Sequence, residues 1–299
     1  MNKKRWLQLI AGVVIFVIFL RWINLADSLF VIFQTNWFIF AVAMGMAVVT
    51  QFIRSLRFYY LSKGTGVSLN LKKIILTQFM TSLAGVVTPG RVGEGGKIFF
   101  FDNKKTLTFS FLTEKIGDFS LQFIVGLLAI FTFQVYGDLF VFILALFIIG
   151  IISLLKIDRL LNFILRRQEF EKGWFTNLFK KLSRKTLLIF IFFTVLIWFN
   201  INLSVWVYSI SLGFSLSLLL LLQIFTIANL IGAISGTPGG VGSTQIIFTF
   251  LLVTFLSLTQ TNAAALTLIV MIGGYIIYTV LTLISYAFYK MVYSKEKKA

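Results

Sequence analysis

The sequence predicts an all-α polytopic membrane protein, and three observations carry that expectation. Of the 299 residues, 59% are hydrophobic and only 12% charged, with a mean hydropathy of +0.96. A soluble domain of this size carries about a quarter charged residues. Apolar runs fill most of the length, and each reaches the span of a ~30 Å hydrocarbon core. Open strands cannot satisfy their backbone groups in lipid, so the runs are read as helices. Third, the chain has only two prolines, Pro89 and Pro238, and both sit in the pattern Thr-Pro-Gly-x-Val-Gly.

The elements follow in order. Lys3, Lys4 and Arg5 precede a first span at about 7–23, which places the N-terminus in the cytoplasm by the positive-inside rule. That run has no small-residue cleavage site, so it reads as a retained helix rather than a signal peptide. A loop holding Asp27 leads to span two, about 37–53. Arg54, Arg57, Lys63, Lys72 and Lys73 then mark the cytoplasmic side. The run 74–101 is broken by Thr88-Pro89-Gly90-Arg91-Val92-Gly93. Its arms of about fifteen and ten residues are short for full crossings, so it reads as a re-entrant hairpin. Span three lies within 107–135 and span four at about 139–155. The stretch 156–185, with nine Lys and Arg against three acids, is a basic cytoplasmic loop lying on anionic lipid. Span five runs over about 186–208. A second hairpin, about 216–258, is broken by Thr237-Pro238-Gly239-Gly240-Val241-Gly242. Span six, about 263–288, ends at Lys290, Lys295, Lys297 and Lys298, again in the cytoplasm. All but four of the 27 Lys and Arg residues fall on segments given to that side. Six spans with two hairpins, or eight full spans, both satisfy this charge bias.

The two motifs lie 149 residues apart, half the chain. Residues 1–136 and 137–299 therefore read as two half-repeats of one transmembrane domain. Three crossings separate the motifs, which inverts the halves in the membrane. Paired, interrupted segments in equivalent positions point to a transporter site near the midplane, where broken helices free backbone groups and helix ends. Simple kinks in packed helices are the plainer alternative. Gly232 to Gly236 reads as close helix packing.

Charge is costly at bilayer depth and usually pairs or faces a polar cavity. Arg91, Glu94 and Lys97 surround the first motif; Glu114, Lys115 and Asp118 open span three. Glu114 and Asp118 are four apart and share a helix face. They form either a head-group site, with Arg91 and Lys97 as phosphate partners, or a structural ion-pair network. A position in the wet interface is the third option for Glu114 and Asp118. Gln78, Gln122, Asn200, Asn202, Gln223 and Asn229 are candidates for a cavity lining or for interhelical hydrogen bonds.

The segments Thr-Pro-Gly-Arg-Val-Gly-Glu (88–94), Glu-Lys-Ile-Gly-Asp (114–118) and Pro-Gly-Gly-Val-Gly (238–242) resemble the flippase-like transmembrane domain of lysylphosphatidylglycerol synthases and its stand-alone relatives. The resemblance covers nearly the whole chain. It implies a lipid-translocating or lipid-handling role with two re-entrant hairpins in an inverted repeat. This chain carries Gln245 where the family usually has a glutamate, and Thr279 after Tyr278 where it often has an arginine. By resemblance the chain is expected to lack the aminoacyl-transfer half, and lysylphosphatidylglycerol synthesis is not expected of it.

With no Cys and no His, disulfides, thiol nucleophiles, Ser-His triads and the usual zinc ligands are excluded. The formal charge of +17 reports topology rather than nucleic acid. The leading expectation is a plasma-membrane transporter moving an anionic or zwitterionic lipid, or a lipid-linked sugar, between leaflets. No cofactor or metal is implied, and a homo-oligomer is compatible with the reading. In it Arg91 and Lys97 engage a phosphate, while Glu94, Glu114 and Asp118 balance charge or bind a cationic moiety. The hairpin tips, Thr88, Pro89, Gly90 and Gly93 with Thr237, Pro238, Gly239, Gly240 and Gly242, form the cavity floor. A lipid-modifying transferase using one of the acids as a base, or a small-solute carrier, are the alternatives.

Overall fold

The computed structural model describes residues 3–133, 174–235 and 237–293. Every regular element among them is helical. Helix α1 (Lys3–Trp22) is followed by α2 (Leu25–Phe33), bent 81° from it. The loop expected around Asp27 is thus helical. Asn24 caps α2 by accepting from the Asp27 backbone N–H and donating to its carboxylate, which turns a charged segment into a helix start. Helix α3 (Trp37–Gly64) begins at Asn36, whose side chain accepts from the N–H groups of Phe38 and Ile39. It runs eleven residues past the expected end of span two, carrying Arg54 and Arg57 inside the helix.

The first interrupted segment divides into α4 (Leu71–Met80), α5 (Ser82–Val86) and a 3₁₀ helix, Pro89–Phe100. Helix α6 (Lys104–Thr132) follows. Span four and most of the basic loop fall outside the described residues. The end of that loop forms α7 (Trp174–Lys180), whose Phe175, with Leu182 just beyond it, packs onto Leu61 and Phe109. Helix α8 begins at Arg184, two residues earlier than expected, because Ser183 caps it through the Thr186 N–H. The second interrupted segment is α9 (Leu218–Ile234), a short 3₁₀ turn at Pro238–Gly240 and α10 (Ser243–Leu256), and α11 (Gln260–Tyr293) follows.

Four described helices are long and apolar enough to cross a membrane, or five if the bent α1–α2 pair is one broken span. The chain is therefore a multi-pass membrane protein. Many of its large apolar side chains face outward, among them Phe38 at 79% exposure and Phe99 at 77%. Such a surface is stable in hydrocarbon and not in water. The principal core joins Phe19, Ile32, Phe40, Tyr208, Phe248 and the small-residue run Ala263 to Ala265, where α11 passes close to its neighbours.

Helices α3 and α8, both 28 residues long, lie antiparallel along their full length. The Asn36 N–H donates to the Ser211 carbonyl at one end, and Gly64 meets Thr186 at the other. Between them Phe40 contacts Tyr208, Asn200 donates to Thr50 and Met46, and Arg57 donates to Thr194. The two hairpin tips meet across this frame. A Cβ on Gly239 would run into the Val86 carbonyl oxygen, so the second tip seats against the first only as glycine. Gly239 also has φ 59, in the left-handed region. At the first tip, Thr88 donates to the Ala84 carbonyl at 2.7 Å and accepts from the Gly93 N–H at 2.7 Å, closing the turn after the break.

Candidate functional site

Helix α3 buries a polar stripe. Gln51, Arg54, Ser55, Arg57 and Ser62 are buried, whereas Val42, Val49 and Phe52 face outward. This pattern points the charged face at the first hairpin and α6. Arg54 lies ten residues before Gly64, roughly 15 Å along the axis. Arg54 and Arg57, expected as markers of the cytoplasmic side, are instead interior residues at 3% and 2% exposure.

They complete two linked ion clusters. Glu94 accepts from Arg54 Nη1 at 2.9 and 3.0 Å, from Arg91 Nε at 2.9 Å and from Lys115 Nζ at 2.7 Å. Arg57 grips Asp118 with two parallel bonds, 2.7 and 3.1 Å, and reaches Glu114 at 3.3 Å. Lys97 joins the second cluster through Glu114 at 2.9 Å and Gln78 at 2.8 Å, and its ammonium sits 4.0 Å from the centre of the Phe58 ring. The Trp198 indole N–H donates to Asp118 at 3.2 Å. Every carboxylate oxygen of Glu94, Glu114 and Asp118 is thus engaged by a protein donor. Five cations face three carboxylates, a surplus of two positive charges. Buried charge persists only when paired and hydrogen-bonded, and here each anion is over-matched.

The five residues singled out from sequence, Arg91, Glu94, Lys97, Glu114 and Asp118, are brought into this one assembly. Glu94, Lys97, Glu114 and Asp118 are all buried, so the wet-interface option for Glu114 and Asp118 does not hold. Sequence reasoning missed Arg54 and Arg57 and left Lys115 aside. The signal was present in the spacing Gln51, Arg54, Ser55 and Ser62, a helical polar stripe inside an apolar run.

A cavity of about 220 Å³ opens beside the clusters, between the hairpin tips. Arg54, Arg91, Lys115 and Asp118 line its charged part; Trp198, Tyr208, Phe225, Phe248, Tyr275 and Tyr278 give it aromatic walls. Lys97, Glu94 and Glu114 stand behind this lining. Both tips contribute, through Val86 and Arg91 from the first and Gly239 and Val241 from the second. Arg91 holds a left-handed backbone, φ 58, and its guanidinium lies 5.6 Å from the centre of the Tyr278 ring. A non-glycine residue in that region is strained, and such strain concentrates at working sites.

The candidate polar residues divide. Gln122 and Asn229 line the cavity. Asn200 and Gln223 instead bridge helices, the latter donating to Thr132 at 2.9 Å. Gln78 belongs to the ion cluster, and Asn202 donates to the Trp198 carbonyl one turn back. Gln245, which stands where a glutamate was expected, accepts from the Gly242 N–H at 2.6 Å and stabilises the second tip as a neutral group. Thr237 is buried and hydrogen-bonds with Ser243 at 3.0 Å. Gly232 packs against Thr244, as close helix approach requires, while Gly236 lies outside the described residues. Among the described residues no group of three acidic side chains is placed to hold a metal ion.

No curated protein matches the chain. The family described as "Lysylphosphatidylglycerol synthase TM region" matches residues 9–282. The match covers nearly the full length, and the chain belongs to that family.

Proposed function

We propose that this protein handles a membrane lipid, accepting an anionic or zwitterionic head group in the cavity between the hairpin tips and passing it between leaflets of the cell membrane. The observation that carries the reading is the cavity itself. It is lined by three cations at a place where both broken segments meet, and the charged assembly as a whole keeps a positive surplus. Arg91 and Lys115, paired with Glu94 yet facing the cavity, are the head-group contacts. Lys97 and Arg57 hold Glu114 and Asp118 and so keep the lining in place. The family's description ties it to a phospholipid product, which supports a lipid rather than a soluble solute.

In this reading the halves form an inverted repeat of six spans with two re-entrant hairpins. Support comes from the antiparallel pairing of α3 with α8, which are equivalent by the motif offset and equal in length. Two equivalent helices packed head to tail are what a two-fold axis in the membrane plane produces. The arm α9, 17 residues and roughly 25 Å long, is short of a full ~30 Å crossing. Both termini lie in the cytoplasm, and the basic stretch 156–185 rests on anionic lipid.

The test is translocation of a fluorescent phosphatidylglycerol in proteoliposomes of purified protein. Arg91→Gln is expected to abolish transfer while the protein stays folded by thermal unfolding. Transfer at the unsubstituted rate would overturn the assignment.

A further inference from the structure

A second cavity, of about 590 Å³, lies between α6, α7 and α8. Ile116 and Leu121 from α6, Phe175 and Phe179 from α7, and Ile191 and Val195 from α8 give it apolar walls. Its back is the α6–α8 contact at Gly117, where an added Cβ would run into the Phe190 ring. Asp118 lines the cavity between the tips, whereas Gly117 and Ser120 line this one, so α6 separates the two. Thr194, on the groove wall, accepts from Arg57 at 3.1 Å, and the groove therefore backs onto the ion cluster.

Length and charge specify what fits. Thr113 and Ile124 end the lining on α6, eleven residues and roughly 16 Å apart. That is about the depth of one leaflet of a ~30 Å hydrocarbon core. The volume falls within the ~300–1,000 Å³ of pockets that enclose one small ligand, and suits one hydrocarbon chain. Among the described residues of the lining, Lys180 at the end of α7 is the one charged side chain. Lys181, Arg184 and Lys185 follow it closely, and all four are exposed. A basic rim of this kind attracts anionic head groups, while a lysine stem lies along apolar surface with its ammonium in the interface. A hydrocarbon chain tied to an anion matches both ends of the groove. A zwitterionic head group brings no net charge to the rim.

We infer that this groove is a resident site for an anionic phospholipid, with one acyl chain against α6 and α8 beside Phe175 and Phe179, and the phosphate at Lys180. The site is separate from the cavity between the tips and does not rest on the reading of that cavity.

The test uses the full chain in phosphatidylcholine nanodiscs doped with phosphatidylglycerol, or with phosphatidylcholine, carrying a diazirine in the acyl chain; cross-linked peptides are mapped by mass spectrometry. The phosphatidylglycerol probe is expected to mark residues 113–124 and 190–195 about fivefold above the phosphatidylcholine probe, the worth of one lysine near the surface. Lys180→Gln, at an exposed position where folding is not at stake, is expected to erase that preference. Ser120→Phe fills the groove and is expected to remove the adduct there while adducts on the outward face of α3 persist. Arg91→Gln, in the other cavity, is expected to leave the groove adduct as it was. Equal labelling by the two probes, or labelling untouched by both Lys180→Gln and Ser120→Phe, overturns the inference. A dimer in native mass spectrometry, with these peptides shielded from both probes, would put a second copy of the chain in the groove and overturn it as well.

Discussion

Arg57 holds Asp118 by two parallel hydrogen bonds, Nη1 to Oδ1 at 2.7 Å and Nη2 to Oδ2 at 3.1 Å, and the same guanidinium reaches Glu114. The pair joins α3 to α6 deep in the protein, and the planar fork matches the carboxylate in a way an ammonium cannot. Arg57→Leu leaves buried Asp118 with the Trp198 N–H and no ion-pair partner, and Glu114 with Lys97 alone, and is expected to lower stability by about 3–5 kcal/mol. Arg57→Lys, which keeps the charge and loses the fork, falls between. Thermal unfolding in detergent reads both, and an unchanged midpoint for Arg57→Leu would show that the cluster contributes nothing to folding.

Glu94 is the single anion shared by Arg54, Arg91 and Lys115. Glu94→Gln leaves three cations facing one another and is expected to destabilise strongly. Adding Lys115→Met removes one of the stranded charges. The double variant should then be more stable than the sum of the single effects by about 0.5–3 kcal/mol. Strict additivity in that cycle would count against a shared cluster.

Two glycines provide a matched pair. At Gly239 a Cβ meets the Val86 carbonyl and the backbone has φ 59, so Gly239→Ala is expected to cost at least ~1–3 kcal/mol and to separate the tips. Gly45, inside α3, has nothing within 4 Å of an added Cβ, so Gly45→Ala is expected to be neutral or to stabilise by up to about 1 kcal/mol. Equal effects at both sites would remove the case for a close tip contact.

Inversion is open to a chemical test because the chain has no cysteine. Ser68 and Ser215 are exposed, sit in the α3–α4 and α8–α9 connections, and lie 147 residues apart, close to the motif offset. Ser68→Cys and Ser215→Cys, made singly, are expected to react with a membrane-impermeant maleimide from opposite sides of sealed vesicles. Labelling from the same side would rule out an inverted repeat.

The membrane-spanning helices and both interruptions were legible because length and hydropathy dominate in lipid, and because two prolines in 299 residues mark their positions plainly. The acids and bases near the first motif were legible for the same reason: charge in an apolar run stands out. Arg54 and Arg57 were misread because positive-inside counting treats a basic residue near a span's end as solvated. Only the continuation of α3 to Gly64 places them at depth, and their partners lie 40 to 61 residues further along the chain. Asp27 was misread because a capping asparagine works through local hydrogen bonds that hydropathy ignores. The fate of Asn200 and Gln223 depended on which helices meet, which no single-chain pattern encodes.

Every charged member of the two clusters, from Arg54 to Asp118, comes from the first half of the chain, while the second half answers with neutral groups such as Thr194, Trp198 and Gln245. A scaffold whose halves can trade shapes would, with equal halves, populate its two openings equally. This one is lopsided. If the halves exchange shapes as the proposed transport requires, a charged unit moves in one direction and an uncharged unit in the other, so the two openings would differ in free energy even with the cavity empty. In the proposed transport cycle such a difference would set a preferred resting orientation, and a bound anion, by neutralising the surplus, would bring the second within reach.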